Sequence, residues 1–215
     1  GTAIIKSING EYVGNSLVSK SKIMDASGGV ISNSVDGKGN AFVGIGYTLD
    51  ENNTIVSGGD AILGTYNNNY VQSTELSANG GVIANYIEKS LEKNDKAQIG
   101  NINASFDGNY VISNKDSAYG GAISNFYVKG IPDENYKNAI IESINSTFEN
   151  NYAITESTES SKGAYGGAIS NIATINAINN SIFRNNYAMS AGGSKAFGGA
   201  IYTGQDLTIN ANNSG

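Results

Sequence analysis

The octapeptide AYGGAISN stands at residues 118–125 and again, unchanged, at 164–171. Three relatives share its core: ASGGVISN at 26–33, ANGGVIAN at 78–85 and AFGGAIYT at 196–203. A second motif alternates with the glycine pair: an aromatic residue, any two residues, then asparagine. It reads Tyr12/Asn15, Tyr66/Asn69, Phe106/Asn109, Phe148/Asn151 and Phe183/Asn186, and in the last four copies a tyrosine follows the asparagine. From aromatic to first glycine the chain advances 16, 14, 14, 18 and 15 residues; from that glycine to the next aromatic it advances 38, 26, 28 and 17. One arc is nearly constant and the other absorbs insertions. Ordered self-similarity of this kind marks a repeat architecture.

The local pattern inside each repeat is β. Apolar or small residues alternate with polar ones just before the aromatic, as in Ile62/Gly64/Tyr66, Ile102/Ala104/Phe106 and Ile144/Ser146/Phe148. Period two places them on one face of a strand. In the fifth copy Ile178 precedes Phe183 by five residues instead of four, which predicts a bulge. The chain is rich in Asn (31) and Gly (28), a composition that makes poor helices. Strands this short cannot stand alone, and stacking successive coils buries a continuous core. The reading is therefore all-β, a parallel β-helix with loop insertions, as one domain over residues 1–215.

That architecture explains the glycines. A coil must turn a sharp corner, and glycine accepts φ > 0 while its missing side chain lets the next coil come close. Gly120, Gly121, Gly166, Gly167, Gly198 and Gly199 are expected to be such corner residues, with the following Ala and Ile filling a narrow core. Replacing Gly121 by Val is expected to destabilise the fold, because a β-branched residue resists φ > 0. Asn109, Asn151 and Asn186 suit a turn, since Asn tolerates the left-handed region, and their amides can hydrogen-bond in a ladder along the axis. Phe106, Phe148 and Phe183 complete the set of structural positions.

The pairing of GGAI with FxxN resembles the polymorphic outer-membrane protein repeat of autotransporter passengers and other large bacterial surface proteins. The resembling residues are Gly120–Ile123 with Phe106/Asn109, Gly166–Ile169 with Phe148/Asn151, and Gly198–Ile201 with Phe183/Asn186; the two N-terminal copies carry GGVI and Tyr for Phe. The resemblance implies a right-handed helix, export to the cell surface, outer membrane or medium, and adhesion. Its implied partners are a host-cell receptor, a surface glycan, or a second cell through self-association. The membrane barrel of such proteins has no counterpart in these residues. The chain ends at Asn212–Gly215 in the middle of a repeat, so it is expected to be a fragment of a longer protein.

Composition narrows the function classes. A net charge of −6 with a single arginine, Arg184, argues against nucleic-acid binding, which needs clustered Lys and Arg. No apolar run is long enough to span a membrane, so no membrane contact is expected of this chain. The absence of Cys and His removes disulfides, thiolate metal sites and the commonest general base. Parallel β-helices do host polysaccharide-cleaving enzymes, which need paired carboxylates. Here Asp36, Asp50, Asp60, Asp107, Asp116 and Asp133 share no register, and Glu156 and Glu159 lie in a Ser/Thr-rich stretch. The reading is non-enzymatic and without cofactor. Threonine is too sparse for an ice-binding face, and five Asn-x-Ser/Thr sequons are what this much Asn and Ser produces by chance.

Insertions in a solenoid map to loops, often on the binding face. Four segments stand out: 34–57, 86–98, 126–138 and 154–163. The third, FYVKGIPDENYKN, sets aromatics beside charges, the mix that binding surfaces favour. Phe126, Tyr127, Lys129, Asp133, Glu134 and Tyr136 are the candidate ligand-binding residues; no metal site is expected, since nothing in the sequence supports metal binding at the acidic pair Asp133/Glu134. The competing expectation is a plain stalk, with roughly 20 residues per coil and about ten coils, some 50 Å long.

Overall fold

A computed structural model of the chain describes residues 2–37, 39–44, 60–90, 95–127 and 138–210. Among these there is no α-helix, and the strands stack as coils. The first coil holds β1 (Thr2–Ile5), β2 (Glu11–Val13), β3 (Ser16–Ser19), β4 (Ala26–Ser27) and β5 (Ile31–Gly37). The second holds β6 (Asn40–Val43), β7 (Asp60–Asn67), β8 (Tyr70–Ser73), β9 (Ala78–Asn79) and β10 (Ile83–Ser90). In the third, β11 (Lys96–Asp107) occupies two places and is followed by β12 (Tyr110–Ser113), β13 (Ala118–Tyr119) and β14 (Ile123–Tyr127). The fourth has β15 (Ala139–Ile144), β16 (Thr147–Glu149), β17 (Tyr152–Thr155), β18 (Gly163–Tyr165) and β19 (Ile169–Asn171). The fifth has β20 (Thr174–Asn179), β21 (Ile182–Arg184), β22 (Tyr187–Ser190), β23 (Lys195–Phe197) and β24 (Ile201–Thr203), after which β25 (Ile209–Asn210) starts another turn.

Each strand pairs in parallel with its counterparts one coil away, giving one 10-stranded and three 5-stranded sheets. The fold is a parallel β-helix, as the repeat predicts. Its coil is longer than expected. Asn109 lies 40 residues after Asn69, and Asn151 lies 42 after Asn109, on top of each other. One coil therefore holds one aromatic motif and one glycine motif together. Five such coils rise about 25 Å at roughly 4.8 Å each, half the length that 20 residues per coil implied. The reason is that each coil passes through four sheets before it closes.

The register puts like residues on like. Tyr66, Phe106, Phe148 and Phe183 are mutual partners along the axis, with ring centroids 4.9–5.2 Å apart. Tyr66, Phe106 and Phe148 are fully buried, each worth roughly 2–3 kcal/mol over an exposed side chain. Ile83, Ile123 and Ile169 form a second buried column, and Ile62, Ile102 and Ile144 a third. A separate column of Ala and Val, including Val71, Ala78, Val111 and Ala118, fills the narrow space between the second and third sheets. The one-residue slip of the fifth coil is taken up between strands and not as a bulge within one: Ile178 pairs with Ile144 and Ile182 with Thr147, and the extra residue falls between β20 and β21, where Asn180 has φ 49°.

The two glycines of each pair divide the work assigned to both. The first is left-handed, with φ 66° at Gly120, 67° at Gly166 and 63° at Gly198. The second is not left-handed. A Cβ on Gly121 would sit 2.1 Å from the Gly167 carbonyl oxygen and 2.5 Å from the Tyr152 nitrogen. The expectation that Gly121 resists valine through φ is therefore corrected: the constraint is contact with the next coil. A similar shift applies to the aromatic motif. The left-handed residue is the one before the motif Asn, at Asn68, Asn150 and Asn185 and at Gly108.

The asparagines themselves form a ladder, as predicted. Each Nδ2 donates to the next Oδ1 through Asn15, Asn69, Asn109, Asn151 and Asn186 at 2.8–3.0 Å. A second ladder, at the Asn that closes each GGAISN, runs Asn33–Asn85–Asn125–Asn171 at 2.7–2.8 Å. These amides also bond buried backbone, as when Asn85 Nδ2 reaches the Ala97 carbonyl at 3.3 Å. The buried asparagine amides are thus satisfied in part by copies of themselves.

Candidate functional site

The supposed insertion loops are shorter than they read. Within 34–57, residues to Gly37 belong to β5 and Asn40–Val43 to β6, with Val35, Phe42 and Val43 buried. Within 86–98, Ile87 and Ala97 are buried in β10 and β11. In 154–163 the strands β17 and β18 claim both ends. Apolar residues at these ends are core positions, which a charge-rich window conceals.

Of the candidate binding residues, Lys129, Asp133, Glu134 and Tyr136 lie outside the described residues. Phe126 and Tyr127 end β14. Phe126 is only 8 % exposed and stacks on Tyr86 one coil below, centroids 4.7 Å apart. It is a wall residue, held in place by a ladder of its own.

The wall borders a groove. One cavity of about 290 Å³ lies against Phe126, Tyr127 and Ile172, with Tyr119, Asn79 and Asp25 opposite. A second, of about 230 Å³, shares Asp25 and Phe126 and extends to Tyr86, Glu88 and Ser27. Ile23 and Met24 overhang this second cavity. None of the described residues lining either cavity is basic.

The overhang has a local cause. Between β3 and β4 the chain runs through six residues, 20–25, where the second and third coils use four. Ser21 Oγ accepts the backbone N–H groups of Ile23 at 3.2 Å and Met24 at 3.1 Å, which ties the extra turn down. Ile23 is left 88 % exposed and Met24 56 %. Asp25 follows directly. Its Oδ1 accepts the Ser77 N–H at 3.2 Å, so the carboxylate is oriented from the coil above.

Asp25 keeps solvent contact at the rim, but the loss of water around its carboxyl raises it above the ordinary aspartate range; the Ser77 N–H opposes the shift, and Asp116 and Glu88 add to it. Tyr119, packed on Tyr165 at 4.9 Å, is pushed up to about 12 by burial. Asp116 binds Lys162 Nζ at 2.7 Å. Arg184, the single arginine, is tied to Glu149 at 2.6 Å, far from a cleft role. Among the described residues no group of three or more acids could hold a metal. Nor is any helix among them long and apolar enough to cross a membrane.

A second surface is the outward face of the sheet through β8, β12, β17 and β22. Tyr70, Tyr110, Tyr152 and Tyr187 stack along it at 4.7–5.0 Å. Their ring faces cover one another, so edges and hydroxyls face out.

Sequence reasoning named Phe126 and Tyr127, reached Tyr86 and Glu88 only as part of the 86–98 segment, and missed Asp25 and Tyr119. The signal for Asp25 is in the sequence: the two-residue lengthening before the first glycine motif. Tyr119 stands inside the octapeptide itself.

Compared with known protein families, with curated proteins and with solved structures, the chain shows no match.

Proposed function

We propose that the chain is a binding segment of an exported bacterial surface protein of the polymorphic outer-membrane repeat type, an adhesin passenger that attaches to host cells or neighbouring cells. The reading rests on the GGAI/FxxN motif set and on one structural observation: a groove lined by aromatics and carboxylates, at the point where the 128–137 insertion leaves β14. Ligand pockets combine apolar walls with a few placed polar groups in this way. The partners are a host receptor, a surface glycan or a second cell, and no chemical step is assigned.

A spacer role is the second reading. Uninterrupted Asn and aromatic ladders favour it, because they stiffen the stack along its axis.

Beads coated with the chain and presented to epithelial cells separate the two. A Ser27→Arg variant fills the groove, and a variant with 128–137 shortened to a tight turn removes the insertion. Adhesion by the parent that either change abolishes, in folded variants, supports the adhesin. Equal adhesion by all three removes the groove from it, and no adhesion by the parent leaves the spacer.

A further inference from the structure

The Tyr86–Phe126 ladder stops at the second coil. Across from Tyr86 in the first coil the register places Ser34, which is too small to cover a ring. One face of Tyr86 therefore has Phe126 on it and the other has no ring in register. The smaller cavity gathers at this point. Its first-coil lining is Ile23, Met24, Asp25 and Ser27, and its second-coil lining is Tyr86 and Glu88.

The chemistry of this box is specific. A π face attracts a cation, and more so when apolar groups displace water around it. Ile23 and Met24 supply those groups, with large exposure that a ligand would relieve. Met adapts its shape to what it covers. Two carboxylates, Asp25 and Glu88, stand in the same lining, and none of its described residues is a lysine or arginine. Glu88 is half-buried and Asp25 is already aligned by Ser77. An anion would meet repulsion, and a neutral ligand would leave the carboxylates without a counter-charge.

We infer that the cavity between Tyr86, Met24, Asp25 and Glu88 binds an organic ammonium group, seated on the open face of Tyr86 and paired with the two carboxylates. This deepens the adhesin reading by naming the chemistry its groove takes. The group could be carried by a choline headgroup or by a lysine side chain, and both present the same charge on an apolar stem.

The test is titration of the whole chain with tetramethylammonium, choline and Nα-acetyl-lysine methylamide, followed by amide shifts of Ser27, Tyr86 and Glu88. The neutral isostere 3,3-dimethylbutan-1-ol and a neutral trisaccharide are run in parallel. The expected result is saturable binding of the ammonium probes, at least tenfold tighter than the isostere, weakened about tenfold in Glu88→Gln and in Tyr86→Leu. Glu88→Gln keeps the test open should Tyr86→Leu fail to fold. Choline against the lysine amide identifies the source. Equal binding of the isostere, saturation by the trisaccharide alone, no saturation by any probe, or insensitivity to both variants overturns the inference. Adhesion of beads without ammonium binding would sink this inference and leave the adhesin standing; ammonium binding without adhesion would do the reverse.

Discussion

The α-carbon of Gly121 faces the carbonyl oxygen of Gly167 one coil along, and a Cβ placed there would lie 2.1 Å from that oxygen. The same relationship holds for Gly81 with Gly121 and Gly167 with Gly199, but among the described residues Gly199 itself meets only the Asn186 oxygen at 3.5 Å. Gly121→Ala must push backbone against backbone through the whole stack. It is expected to cost several kcal/mol or to abolish folding, as overpacked cores do. Gly199→Ala is expected to stay within about 1 kcal/mol. Urea unfolding of both variants measures the contrast, and equal losses would remove the close-approach explanation.

Asn109 is the midpoint of its ladder. Its Oδ1 accepts from both the Asn69 N–H and the Asn69 amide at 3.0 Å, and its Nδ2 donates to the Tyr66 carbonyl at 2.7 Å. Asn109→Ala strands several buried groups, each costing about 1–3 kcal/mol. The expected loss is roughly 3–5 kcal/mol in denaturant unfolding. Asn186→Ala, at the partly exposed top of the ladder, should cost less because water reaches its partners.

Asn68 holds φ 54° where Gly108 holds 64° one coil later. Asn68→Gly is therefore expected to change stability by only a few tenths of a kcal/mol, whereas Asn68→Val should cost about 2 kcal/mol or more. Thermal melts of the pair read the difference. A valine variant as stable as the parent would contradict the left-handed turn.

Tyr152 is raised to about 12, chiefly by burial, with Tyr110 and Tyr187 adding to it. Tyr119 is also pushed to about 12, by burial. In the unfolded chain such phenols ionise near 10. Below that value both states keep the proton and the contribution is intact. Between about 10 and 12 the unfolded chain sheds its proton first, so stability falls as pH rises. Unfolding midpoints at pH 9 and pH 11 should differ, and Tyr152→Phe should flatten the slope. An unchanged slope would show that Tyr152 titrates as in water.

Ammonium binding should weaken on acidification. Asp25 is surrounded by Glu88, by Asp116 with its partner Lys162, by Tyr119, and by the hydrogen-bonding Ser77 and Asn79. Loss of water around it raises its carboxyl, so the loss of affinity should begin above the ordinary aspartate value of 3.8. Titrations with tetramethylammonium from pH 7 downward check this, and Asp25→Asn should weaken binding at pH 7 and reduce its change with pH. Affinity independent of pH would detach Asp25 from the site.

The fold was legible because its determinants repeat. Gly120–Ile123 and Phe106/Asn109 recur in one order, and a periodic chain that alternates every second residue has few structures other than a stack. The coil length was not legible. Motif spacing gives the repeat but not how many sheets one repeat visits, and that number doubles or halves the rise. The site was read only in part. Phe126 and Tyr127 drew notice as aromatics beside charge, yet Phe126 is buried, because Tyr86 lies in register beneath it.

By itself the sequence determined a parallel, glycine-cornered β-stack with Asn ladders, since those follow from local backbone preference and from copies repeating along one axis. Only the tertiary structure decided which glycine is left-handed and which is squeezed: Gly120 turns and Gly121 touches Gly167, and no local rule separates two adjacent glycines. It alone also brought Asp25, Tyr86 and Glu88 to one cavity. Asp25 lies about sixty residues from Tyr86 and Glu88 in the chain, and only stacking, which sets residues of successive coils roughly 4.8 Å from one another, makes them neighbours.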